Sequence, residues 1–130
     1  MVSTFNRRQI LAPGTVITAS GSVTGLAIGE DDVTALNLYA TITAVSGTTP
    51  SITFAIAFAN DAVPGTFPPA SYGTASSGAA QTATGADVVV ATGTDAHTVL
   101  DVDQTRYYEV TWTVTGTTPS FTIGALYTDN

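Results

Sequence analysis

The sequence predicts an all-β fold: an antiparallel β-sandwich or jelly roll of about eight strands, with an N-terminal arm. Three observations carry this. Thr, Val, Ile, Ala and Gly dominate the 130 residues and alternate polar with apolar over long stretches. Turn signals break the alternation at short intervals, and little supports a helix. The pentapeptide GTTPS is spelled twice, at residues 47–51 and 116–120, a constant 69 residues apart.

Taken in order, residues 1–14 read as an arm carrying Arg7 and Arg8, and residues 15–130 as a single domain. Short strands are expected at 15–20 and 22–28, around Gly21. Glu30-Asp31-Asp32 reads as a solvated turn. A long strand at 35–46 and a partner at 51–60 follow. Residues 61–85 form a long loop. Its first part spaces Phe67 and Tyr72 with prolines, as in an extended segment lying on a surface or reaching a neighbouring subunit. Its second part, TASSGAAQTATG, is small and polar and reads as flexible. Strands resume at 87–92, 97–102, 106–115 and 120–128.

Each GTTPS reads as the loop of a β-hairpin. Gly supplies unusual backbone angles, and Pro fixes φ where the second strand begins. In the second hairpin Tyr108, Val110, Trp112 and Val114 share a core face, with Val114 expected across from Phe121 and Trp112 across from Ile123. In the first, the equivalent core face carries Tyr39, Thr41, Thr43 and Val45, opposite Ile52, Phe54, Ile56 and Phe58. The other face, Leu36, Leu38, Ala40, Ile42 and Ala44, is also apolar. A subunit contact, burial by the domain's own segments, or a bulge that moves the register would each explain it.

Charge narrows the function. Three arginines, no lysine and ten carboxylates give a net charge of −7. Such a chain repels phosphate backbones and anionic lipid surfaces, so neither nucleic acid nor membrane is an expected partner. No apolar run approaches the ~18 residues of a membrane-spanning helix. The N-terminus lacks an apolar stretch of signal-peptide length, which argues against export.

Little points to catalysis. The chain has no cysteine, so thiolate chemistry is excluded. The single histidine, His97, has no nucleophile elbow beside it and reads as structural. Glu30-Asp31-Asp32 and the Asp101/Asp103 pair fit no EF-hand loop and read as solvated acidic turns. No cofactor, metal or enzyme activity is expected.

The stretches ALNLYATITAVSGTTPSITFAIAFAND and RYYEVTWTVTGTTPSFTIGALY do resemble a known group: small all-β proteins encoded among the virion structural genes of tailed bacteriophages. The shared pattern is an alternating strand ending in Val-x-Gly-Thr-x-Pro and continuing as a second strand. The chain departs from many relatives at Asn60-Asp61-Ala62-Val63-Pro64-Gly65, where they carry an Asp-Gly-x-x-Trp turn. The resemblance implies a non-enzymatic virion component, foremost a capsid decoration (cement) protein. Its implied partners are the major capsid protein and further copies of itself, as a trimer at capsid three-fold positions. It would reside in the virion, assembled in the host cytoplasm. Arg7, Arg8, Phe67 and Tyr72 are the candidate partner contacts. A tail or neck protein is one alternative. A carbohydrate-binding β-sandwich, with Tyr39, Tyr107, Tyr108, Trp112 or Tyr127 stacking on sugars, is another.

Overall fold

The computed structural model describes residues 7–28, 35–59, 72–94 and 106–129. Among them there is no helix. Seven strands form one antiparallel sheet: β1 (Arg8–Leu11), β2 (Thr15–Ile17), β3 (Gly21–Ile28), β4 (Ala35–Phe58), β5 (Ser76–Ser77), β6 (Gly85–Thr94) and β7 (Arg106–Asp129). The 1–14 segment includes β1, which pairs with β7. The stretch expected to be flexible, 74–85, is tied to β4 by β5 and by an Ile52–Gln81 bridge. Phe67, the strand expected at 97–102, and the acidic residues Glu30, Asp31, Asp32, Asp101 and Asp103 lie outside the described residues.

The GTTPS segments are not hairpin loops. β4 and β7 are each a single strand of 24 residues with no hairpin turn between their halves, and they pair with each other along that length. Val45 lies opposite Phe121 and Ile52 opposite Val114. Trp112 faces Phe54, not Ile123. Adding or subtracting the 69-residue offset turns the Val45–Phe121 pair into Val114–Ile52. The Tyr39–Tyr127 pair becomes Tyr108–Phe58 in the same way. The ribbon therefore has an internal two-fold relation, centred where Thr48 meets Thr117.

Backbone geometry repeats across that centre. Gly47 and Gly116 have φ of 112° and 117°, and Thr49 and Thr118 both have φ of 49°. A Cβ on Gly47 would lie 2.6 Å from the Thr118 carbonyl oxygen, and one on Gly116 would lie 2.8 Å from that of Thr49. Each glycine thus admits the backbone of the other strand. Two β-branched residues are held in a left-handed conformation that costs them about 1 kcal/mol or more each.

The ribbon doubles back at this crossing. A straight 24-residue strand would span roughly 80 Å, yet β6 residue Gly93, paired with Leu36 near the start of β4, would touch Ile56 and Phe58 near its end if given a Cβ. The Tyr108 hydroxyl also meets Thr128 Oγ1 at 2.6 Å, joining opposite ends of β7. One core results, with Leu38, Ile42, Phe121, Ile123 and Leu126 from one half and Ile52, Phe54, Ile56, Val110 and Tyr108 from the other.

The core face expected for 39–45 is corrected. Leu36, Leu38, Ala40 and Ile42 are buried, while Tyr39 and Thr41 are only half-buried and Thr43 is exposed. The register slips on both strands here: Thr43 is skipped between Ile42–Ile123 and Ala44–Thr122, and Gly124 is skipped between Ile42–Ile123 and Thr41–Ala125. One extra residue per strand flips every side chain beyond it to the other face. The Cβ that Gly124 lacks would sit 2.8 Å from Thr43 Cγ2, so the bulge needs glycine.

Because the crossing is two-fold, Gly47→Ala and Gly116→Ala should be equally harmful, each costing about 2 kcal/mol or more through positive-φ strain and carbonyl contact. Urea unfolding of the two variants measures this. A hairpin loop that never meets its repeat would tolerate one substitution independently of the other.

Candidate functional site

The double bulge turns one aromatic pair outward. Gln9, Tyr127, Tyr39 and Val89 stand opposite one another across β1, β7, β4 and β6. Tyr39 and Tyr127 stack at 5.2 Å with 14° between ring planes. The Arg7 guanidinium lies 4.2 Å from the centre of the Tyr127 ring, a cation–π contact. The Tyr127 hydroxyl donates to Asp87 Oδ1 at 2.8 Å. Asp87 has φ of 52°, and its N–H donates to Thr41 Oγ1 at 3.0 Å. A groove of about 390 Å³ opens beside this cluster, lined by Arg7, Gln9, Leu11, Pro13, Asp87 and Tyr127 among others.

The expected partner-contact residues are placed separately. Arg7 caps Tyr127. Arg8 donates from Nη1 to the Ala27 carbonyl at 3.0 Å, tying β1 to β3. Both arginines are exposed. Tyr72 bridges to Ala59, and its hydroxyl accepts from the Gly25 N–H at 2.9 Å. It therefore pins the end of the long connection to β3. Asp87 and Gln9 escaped the sequence reading, because they meet only across strands distant in the chain.

Three of the aromatic residues considered for sugar stacking, Tyr108, Tyr127 and Trp112, are already packed against other groups. Tyr108 is buried. One face of the Tyr127 ring carries Tyr39 and another group, Arg7, also packs on it. Trp112 lies against Gly21 and Phe54, and its Nε1 donates to the Ala19 carbonyl at 3.2 Å. Among the described residues, no group of three or more His, Asp or Glu side chains is placed to hold a metal ion. On β6, Val88 and Val89 are 38% and 49% exposed. No family model matches the chain, and no curated protein and no solved structure matches it.

Two phenols are set against ionisation. Burial pushes Tyr108 above its ordinary 10.0, outweighing its bond to Thr128. Tyr127 is raised chiefly by its hydrogen bond to Asp87. The folded state thus holds both protons more tightly than the unfolded chain. That stability is complete below about pH 10 and is lost as pH rises through the folded values. Denaturation measured from about pH 8 to about pH 11 should show this fall. Tyr108→Phe should lower stability at neutral pH by about 1–2 kcal/mol, since Thr128 loses its buried partner, and should flatten the alkaline decline.

Proposed function

We propose that the chain is a non-enzymatic structural protein of a tailed-bacteriophage particle, a capsid decoration protein that bridges neighbouring subunits of the shell. The observation that carries this reading is where the resembling segments lie. Residues 35–60 and 106–127 contain most of the two strands that cross and pair end to end. The resemblance therefore falls on the frame of the fold and not on a cluster of reactive groups. We read the doubled ribbon as a β-sandwich, its two half-sheets sharing the core described above.

The surface suits bridging. With a net charge of −7 and no lysine, contact with a shell subunit would rely on apolar and hydroxyl-bearing patches more than on its own cations. Val88 and Val89 on β6 supply such a patch. Arg7 and Arg8, exposed on the β1 side, supply the positive groups. The partners in this reading are the major capsid protein and further copies of the chain, as a trimer.

Co-sedimentation of purified protein with particles lacking it, followed by imaging, tests the proposal. Regular density on the outer shell is the expected result. Density confined to the tail or neck would transfer the protein to that structure, and failure to bind any part of the particle would end the virion reading. The double variant Val88→Glu, Val89→Glu should weaken shell binding at least about tenfold, or about 1.4 kcal/mol, with an unfolding midpoint near that of the parent.

A further inference from the structure

We infer that the groove beside Tyr127 is a binding site for a neutral polyhydroxylated ligand, a saccharide unit held by Gln9, Asp87 and Arg7. This goes beyond the proposed structural role and does not depend on it. The groove's volume, about 390 Å³, falls within the range of small-ligand sites. Its two charged side chains are Arg7 and Asp87, one of each sign, so the lining favours neither an anion nor a cation.

The polar groups offer both donors and acceptors. Arg7 can only donate, Asp87 can only accept, and Gln9 does both. A hydroxyl also does both, and adjacent hydroxyls on a sugar ring present that mixture at close spacing. Leu11, Pro13 and Ala125 give an apolar wall for the C–H side of the ring. A nucleobase would need an aromatic face, and Tyr127 already stacks on Tyr39 and packs under Arg7. A peptide strand would seek a sheet edge. The edge strand here is β1, which among the described residues pairs only with β7, and the side chains of Gln9, Tyr127 and Asp87 instead line the groove over the sheet face beside it.

Asp87 is the second reason. It is a non-glycine residue with positive φ, and it is fixed at two points: its N–H on Thr41 and Oδ1 under the Tyr127 hydroxyl. Strained backbone held this firmly is a recurrent property of binding sites. A carboxylate has a second oxygen, which can accept from a ligand hydroxyl. Asp87 thereby resembles a positioned acceptor, with Tyr127 fixing its angle.

Saturation-transfer NMR on the full chain tests the assignment, with glucose, galactose, mannose, N-acetylglucosamine and the nucleoside uridine as probes. Transfer to at least one sugar and none to uridine is expected. Gln9→Ala should reduce the sugar signal at least several-fold. Gln9 is exposed, so a folding defect is not expected there, and an unchanged unfolding midpoint would confirm that. Asp87→Asn, which keeps an acceptor for Tyr127, should also reduce it, while Val16→Ala on β2 should leave it intact. No transfer to any sugar, preference for uridine, or full signal in Gln9→Ala would each overturn the site. Because the measurement uses isolated protein, its failure leaves the particle-binding experiment unaffected.

Discussion

The close approach of two glycines governs this architecture. Gly47 and Gly116 each occupy a place where a side chain would strike the backbone of the other strand. Without that approach β4 and β7 could not cross, and their ends could not return to share a core. The crossing also carries a local cost, since Thr49 and Thr118 adopt left-handed angles on either side of it. Burial of Phe54, Phe121, Ile52 and Ile123, each with no exposed surface, offsets that cost. Fully burying such side chains is worth about 1.5–3 kcal/mol apiece.

Much of this was legible in the sequence, but not the identity of the paired strands. The alternation, the absence of helix signals and the structural use of GTTPS all follow from residue order. A hairpin would put Val45 opposite Ile52 and Val114 opposite Phe121. The crossing instead puts Val45 opposite Phe121 and Val114 opposite Ile52. The two copies have the same parity, so both schemes place apolar residues opposite apolar residues equally well. Repetition thus reveals a shared device and conceals which strands it joins. The clue lay in Leu36, Leu38, Ala40 and Ile42, whose apolar face fits a shifted register.

That shift separates the two halves of a nearly symmetric ribbon. The offset relates Tyr39 and Tyr127 to Tyr108 and Phe58. The second pair packs at 6.3 Å, with Tyr108 buried in the core. The first stacks on the outer face beneath Arg7. Equivalent residues therefore face opposite ways, and the cause is the extra residue on each strand at Thr43 and Gly124. A glycine that lets a threonine methyl approach has moved an aromatic pair from the shared core to the opposite face of the sheet, where Tyr127 is still buried, with Arg7 and Tyr39 packed against it.

The groove follows from the same break. In the second half the position equivalent to Ala125 is Ile56, which is buried, whereas Ala125 is only half-buried. In the first half the flipped register leaves Ala125 beside β1, where Gln9 and Leu11 form a wall. Asp87 reaches the site because β6 follows the altered register of β4, with its own irregularities between Leu38 and Ile42. The strands that supply these residues, β1, β6 and β7, are far apart in the chain. Their meeting depends on β1, β4, β6 and β7 lying side by side, an order that residue patterns alone do not specify. Symmetry builds the frame, and its break at Thr43 and Gly124 brings together polar groups of both hydrogen-bonding kinds.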